Sequence, residues 1–222
     1  IKQAGRPLNP VYGYKANGYF QSADEITKAY GTNYPFVKPG DIRYEDLNGD
    51  GFINGDDVTY IGSNNLPINI FGWQTTVTAG NFEGSMFWQA GTGNEQYFNN
   101  WMAKPFNGAG NALKVHEDYW TPENPNAAYP RILTSSSWNY DNVSSFWLYD
   151  MSYLRLKNLQ IAYNFSSSIA SRIRARQLRV YLNGANLLTF SKFKEVDPEN
   201  TNNMGHYYPQ QVIFNGGVQV TF

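Results

Sequence analysis

The chain has 222 residues, 17 basic against 18 acidic side chains and no cysteine. Thiol catalysis, disulfides and cysteine-ligated zinc are thereby excluded, and a formal net charge of −1 leaves no electrostatic footprint for nucleic acid. Charged residues make up 16% and aromatics 17%, so the mean hydropathy of −0.52 comes from Asn, Gln, Ser, Thr and Tyr, and disorder driven by charge is excluded. No apolar run reaches the roughly 18 residues that a transmembrane helix needs. The opening from Ile1 lacks a charged region followed by an apolar one, so no signal peptide is expected there. Neither absence bears on a transmembrane barrel, whose strands alternate polar and apolar residues.

From the N-terminus, the first local signal is Ser22-Ala23-Asp24-Glu25, which has the spacing of a capping box and predicts a short helix running to about Ala29. Residues 46 to 57 then place Asp46, Asn48 and Asp50 at positions 1, 3 and 5 of a twelve-residue calcium loop. Gly51 takes the turn position, Phe52 supplies a main-chain carbonyl, and Asn54 and Asp57 occupy positions 9 and 12. Hard oxygen donors in this order point to calcium, with magnesium as the alternative, in a structural role. All the ligands are protein oxygens, and no position is left open for Lewis-acid chemistry. Asp at position 12 has a shorter arm than the usual Glu, and long flanking helices are absent. The competing reading is a surface turn rich in Asn, Gly and Asp.

Strand signals follow. Phe71, Trp73, Thr75, Val77 and Ala79 share one parity, and after Gly80-Asn81 the chain returns with Phe82, Gly84, Met86, Trp88 and Ala90. The two residues of the turn tolerate positive φ, so a tight hairpin is expected, with Trp73 and Trp88 on one face. These tryptophans read either as an interfacial aromatic band or as core. Residues 153 to 165 form another strand, in which Leu154 and Leu156 share one parity and Leu159, Ile161, Tyr163 and Phe165 the other. The phase change near Lys157-Asn158 predicts a β-bulge. Ser166 to Gln177 reads as a short helical turn capped by serine and carrying Arg172, Arg174 and Arg176, with Arg179 just beyond. Such a basic run is ordinarily a solvated turn. Strands over 178 to 188 and 212 to 222 complete the set. In the last, Val212, Phe214, Gly216, Val218, Val220 and Phe222 oppose a mostly polar face.

The segments 92 to 150 and 190 to 210 are long, irregular and rich in Asn, Gly, Pro, Ser and Tyr, and loops of such length are usually functional. Short connections therefore alternate with long ones, as in an outer-membrane barrel with short periplasmic turns. Catalytic signals are weak. His116 and His206 lack metal-site spacing, and Asp118, Glu123, Asp197 and Glu199 make a glycosidase pair only if folding brings two of them together.

Several ordered motifs carry a family resemblance. They are Gly5, Pro7, Tyr12, Tyr14, Gly18, Phe20 and Gln21; Gly40-Asp41-Ile42 with Tyr44; Trp120-Thr-Pro-Glu-Asn-Pro; and Tyr129-Pro130-Arg131. They continue with Tyr153-Leu-Arg-Leu-Lys-Asn-Leu, Asn186-Leu-Leu-Thr-Phe, Asp197-Pro-Glu and the terminal Val220-Thr-Phe. With these the chain resembles the C-terminal part of SusC/RagA-type TonB-dependent outer-membrane transporters of Bacteroidetes. The resemblance implies an all-β fold, an antiparallel transmembrane barrel of about 22 strands with long extracellular loops, a size within the range of such barrels. It also implies an N-terminal plug, import of oligosaccharides or peptides powered through TonB, and a SusD-like surface lipoprotein as lid. Five strands are recognisable, fewer than the roughly eight of a minimal barrel, so the chain is expected to be a portion lacking plug and TonB-contacting segment.

The expected organisation is an extracellular loop region over 1–67, with the helix and the calcium-type loop, and barrel strands with long loops over 68–222. The partners expected are the remaining strands and plug, outer-membrane lipid, the SusD-like lipoprotein, TonB through the missing plug, and the substrate. No enzymatic activity is expected. A soluble calcium-dependent β-rich carbohydrate-binding module is the alternative.

Overall fold

A computed structural model of the chain describes residues 5, 10–31, 36–63, 66–98, 104–106, 111–134, 137–200, 202, 208 and 210–222. In chain order its first strands are β1 (Pro10–Gly13), β2 (Ala16–Tyr19), β3 (Ile42–Tyr44), β4 (Thr59–Ser63), β5 (Asn69–Ala79) and β6 (Phe82–Thr92). They are followed by β7 (Glu95–Tyr97), β8 (Leu148–Asp150), β9 (Tyr153–Asn164), β10 (Gln177–Ser191) and β11 (Ile213–Thr221). The helices are α1 (Ala23–Tyr30), α2 (Trp138–Asp141) and α3 (Ser167–Ala170). The chain divides into two units, one made of residues 1–66, 95–149 and 201–206, the other of 67–94, 150–200 and 207–222. Most of the long stretch 92–150 thus folds with the N-terminal residues.

In the first unit the strands are short, β1 pairing with β4 and β2 with β3. The expected capping residues form α1: Ser22 Oγ accepts from the Glu25 N–H at 3.3 Å, and Glu25 Oε2 accepts from the Gln21 N–H at 2.9 Å. Asp24 and Glu25 in the first turn and Lys28 in the last suit the helix dipole. The helix ends at Gly31, with φ +72°, and its Ile26 and Tyr30 face the core. Short strands offer no long aliphatic face, so rings fill this core. Tyr14 stacks on Tyr44 at 4.9 Å, and the fully buried Trp147 meets Tyr140 edge-on at 5.1 Å. Polar tips still find partners, as where the Tyr19 hydroxyl donates to the Ala127 carbonyl at 3.0 Å.

The second unit is built on one antiparallel sheet of five strands in the order β11-β10-β9-β6-β5. Gly80, at φ +58°, makes the tight β5–β6 turn, and Trp73 lies directly opposite Trp88. The phase change in β9 is a bulge. Phe87 of β6 faces Asn158 while Trp88 faces Leu156, so Lys157 is the extra residue. Opposite it, β10 is irregular between Ala185 and Leu188, with Asn186 at φ +55°. The hairpin strands extend slightly beyond the expected 71–79 and 82–90, and β10 reaches Ser191. After Ser166 come α3 and a 3-10 turn over Ser171–Ile173. The expected serine cap is not made: Ser166 bonds the Ser168 hydroxyl at 2.9 Å rather than a backbone N–H, because α3 is only one turn long and its backbone bends at once into the 3-10 turn.

Candidate functional site

Residues directly opposed across antiparallel strands share a face, so the register extends each strand's parity over the whole sheet. Trp73 and Trp88 line up with Leu156, and Leu156 with Leu188; Ile161 lines up with Leu182. This apolar face is open over most of its extent, with Leu156 at the bulge covered. Trp73 is 61% exposed, Leu182 68% and Phe214 77%. The reverse face carries Gln74, Glu83, Gln160, Arg179 and Asn183, with Arg179 paired to Glu83 at 2.8 Å. A water-soluble sheet buries its apolar side, and an uncovered face of this extent marks contact with lipid or with another apolar surface. That exposure counts against the soluble carbohydrate-binding module.

On the polar face, β9 and the segment after β10 build a charge cluster. The Arg155 side chain is only 2% exposed; its Nη2 lies 2.8 Å from Asp197 Oδ2, its Nη1 bonds Glu199, and its Nε donates to Thr189 Oγ1 at 2.9 Å. Lys157 Nζ reaches Glu199 Oε2 at 2.6 Å, and the Tyr153 hydroxyl donates to Glu199 Oε1 at 3.2 Å while accepting from Gln89 at 3.1 Å. Two cations and two carboxylates offset one another. The bulge makes this possible, because Lys157 keeps the parity of Arg155 and Tyr153 while its neighbour Asn158 also faces the polar side, accepting from Asn183 at 2.6 Å. The cluster fastens Asp197-Pro198-Glu199 to the sheet beside a cleft of about 590 Å³ lined by Thr189, Phe193 and Lys194 among others. With their oxygens engaged by Arg155, Lys157 and Tyr153, Asp197 and Glu199 are clamps rather than a free acid–base pair.

The motifs of the first unit meet in the same manner. Gly40 adopts φ +88°, and a Cβ there would lie 2.3 Å from the Trp120 ring. Its carbonyl accepts the Arg131 N–H at 3.0 Å, and the Arg131 guanidinium grips the fully buried Asp41 at 2.7 and 3.1 Å. Burial nevertheless holds the Asp41 carboxyl above its usual range, against the pull of Arg131. The Trp120 indole N–H donates to Gln21 at 3.2 Å. Gly40-Asp41-Ile42, Trp120 and Tyr129-Pro130-Arg131 are therefore one packed assembly. Tyr14, Tyr19, Tyr44, Trp120 and Tyr129 are all buried, so these aromatics are core and present no flat face to a ligand.

The calcium-type loop is in place in the first unit. Asp46 accepts from the N–H groups of Gly49 and Gly51 at 2.7 and 2.8 Å, and Asp50 from Phe52 at 2.8 Å. Asn48 and Asn54 both donate to Asp50 Oδ2, at 2.9 and 3.3 Å, so three of the six predicted ligand residues meet there. The Asn48 bond holds the exposed Asp50 carboxyl below its usual range. Asp57 is fully buried and clamps the loop, accepting from Leu47 at 2.8 Å and Asn54 at 2.9 Å. Among the described residues no group of three His, Cys, Asp or Glu side chains converges as a metal site, and Asp46, Asp50 and Asp57 each spend carboxylate oxygens on backbone N–H groups of the loop. The other candidates are structural: the buried His116 accepts from the Leu113 N–H at 3.1 Å, and Asp118 holds Asn124 and Ala128. Glu123 is exposed, and His206 and Pro7 lie outside the described residues. Arg155 and Lys157 join the site only through the fold, and charge inside an otherwise alternating strand is their one signal in the sequence.

No protein-family profile matches the chain. Among curated proteins it is 38% identical over 196 residues to one TonB-dependent receptor of Formosa agariphila, covering 87% of the chain and 19% of that protein. A second receptor of the same organism is 31% identical over 199 residues, 90% of the chain and again 19% of the receptor. The TonB-dependent receptor SusC of Bacteroides thetaiotaomicron is 24% identical over 212 residues, 95% of the chain and 20% of SusC. The chain thus spans about a fifth of the length of these relatives. The fold is similar to that in the structure of the RagAB peptide transporter, with a TM-score of 0.70 at 24% identity over 96% of this chain and 23% of that one.

Proposed function

We propose that this chain, a SusC/RagA-like TonB-dependent transporter segment, forms wall and loop structure of an outer-membrane barrel that imports nutrients. The observation that carries this reading is the single apolar face, exposed across all five strands of the sheet, backed by a face of amides, hydroxyls and paired charges. In a bilayer the first face meets acyl chains and the second a wet lumen. Strands flanking the edges β5 and β11 complete a barrel of the family type, about 22 strands around a plug. That plug couples import to TonB, a SusD-like lipoprotein meets the extracellular loops, residues 1–67 included, and the cargo is an oligosaccharide or a peptide. Segment 192–200, pinned by Arg155 and Lys157, gives the polar face a fixed shape.

The loop 46–57 is proposed to hold calcium, or magnesium in its place, tying down a loop rather than serving chemistry. Asp46, Asn48, Asp50, the Phe52 carbonyl, Asn54 and Asp57 are its ligand positions. Calorimetric titration should show calcium binding that Asp50→Ala abolishes; equal heats from the variant would remove the site.

The wall is tested by cysteine scanning of this segment, which brings no cysteine of its own, in a receptor whose remaining cysteines are replaced. In the complete receptor reconstituted in vesicles, Leu182→Cys should resist a water-soluble maleimide while Gln160→Cys reacts. Equal labelling at the two positions would overturn the reading.

A further inference from the structure

Resting on the barrel reading above, we infer that the turn over residues 165–178 binds the headgroups of anionic phospholipids in the leaflet on the short-turn side. Arg172, Arg174 and Arg176 are all exposed, and none has an ion-pair partner among the described residues. The stretch from Phe165 to Leu178 contains no Asp or Glu, so its positive charge is not offset locally. The one carboxylate of the neighbouring hairpin that is ion-paired, Glu83, is taken by Arg179 on the opposite, polar face at 2.8 Å.

Placement makes this more than a solvated turn. The Arg176 N–H donates to the Thr221 carbonyl at 2.6 Å, although Thr221 is the register partner of Gln177, so two residues oppose one in a bulge that ties the end of the turn to the end of β11. Arg176 is thereby held at the rim of the sheet, against the residue before the exposed Phe222. An exposed arginine at the rim of a lipid-facing sheet reaches its guanidinium to the phosphate level. A belt of rings marks the interface just inside it. Phe82 meets Tyr163 at 4.8 Å, Tyr163 meets Phe165 at 4.9 Å, and Phe222 is 77% exposed. In the turn itself, buried Ala170 and Ala175 anchor the backbone while Ile169 and Ile173 remain 41% and 50% exposed beside the arginines. Arg174, at φ +58°, ends the 3-10 turn and sends the chain back toward β10. Apolar side chains at acyl depth with guanidinium groups above them match a phosphodiester headgroup, which takes bidentate bonds from arginine.

The test uses the complete receptor in detergent, with native mass spectrometry counting retained phosphatidylglycerol and phosphatidylcholine. The wild type should prefer phosphatidylglycerol. The combined variant Arg172→Gln, Arg174→Asn, Arg176→Gln should lose that preference, by roughly fivefold per arginine, and the corresponding triple lysine variant should keep most of it. Excess inorganic phosphate should not displace the lipid; displacement would show that the turn takes the free anion and would overturn the proposal. Undiminished retention by the neutral variant, or no headgroup preference in the wild type, would also overturn it. Folding of the variants is checked by the Leu182→Cys and Gln160→Cys labelling contrast. If that contrast is absent with all three arginines in place the wall reading itself fails, whereas an intact contrast with unchanged lipid retention in the neutral variant fails only the headgroup site.

Discussion

Gly40 shows how one residue can carry a junction of motifs. At φ +88°, with a Cβ position 2.3 Å from Trp120, it admits no side chain without moving the indole. Gly40→Ala should therefore cost about 2–5 kcal/mol through backbone strain and overpacking, read as lost hydrogen-exchange protection at Ile42 and Tyr44 in the assembled receptor. The neighbouring ion pair obeys a different rule. Arg131→Met leaves Asp41 buried without its cation and should cost about 3–5 kcal/mol, and adding Asp41→Asn should recover part of it. Lys104 is the converse case. Burial holds its ammonium below the usual lysine range, although Asp141 lies 3.1 Å away and the rings of Tyr140 and Trp147 each lie 5.5 Å away. Below the folded value both states carry the proton, and the fold bears the cost of a buried charge. Between that value and the usual 10.5 the unfolded chain binds more proton, so stability rises with pH, and Lys104→Met should abolish this alkaline rise in thermal unfolding.

At the scale of elements, the two faces of β9 and β10 should respond unequally to the same charge. Leu182→Arg places a guanidinium in the middle of the apolar face and should cost about 2–4 kcal/mol, whereas Gln160→Arg on the polar face should be tolerated. The yield of heat-resistant folded barrel measures both. Deleting Lys157 removes the bulge and turns half of β9 to the wrong face, either Leu154 and Leu156 or Leu159 and Ile161, so folded yield should collapse. The parity switch at Lys157-Asn158 was legible because it lies within a few consecutive residues. The matching irregularity at Asn186-Leu187 was not, since it arises from the partner strand rather than from a break in the apolar pattern of β10. The helix cap at Ser22 was legible for the same local reason. The cap expected at Ser166 failed because the one-turn α3 passes straight into a 3-10 turn.

At the scale of the molecule, a five-stranded sheet with edges at β5 and β11 and an uncovered apolar face is not a stable object in water. Expressed alone, the chain should need detergent and associate through those edges; a monodisperse, folded species in detergent-free gel filtration would contradict the wall reading. Adjacent residues by themselves determined the strands, the Gly80-Asn81 hairpin, α1 and the ligand spacing of residues 46–57, because period, turn chemistry and capping are properties of neighbours along the chain. Only the tertiary structure decided that Arg131 grips Asp41 across 90 residues and Arg155 holds Glu199 across 44, and that Trp120, Tyr129 and Trp147 are core while Tyr119 and Tyr208 stay exposed. Those outcomes depend on where distant segments return, and side-chain chemistry limits which pairs can form without selecting which ones meet.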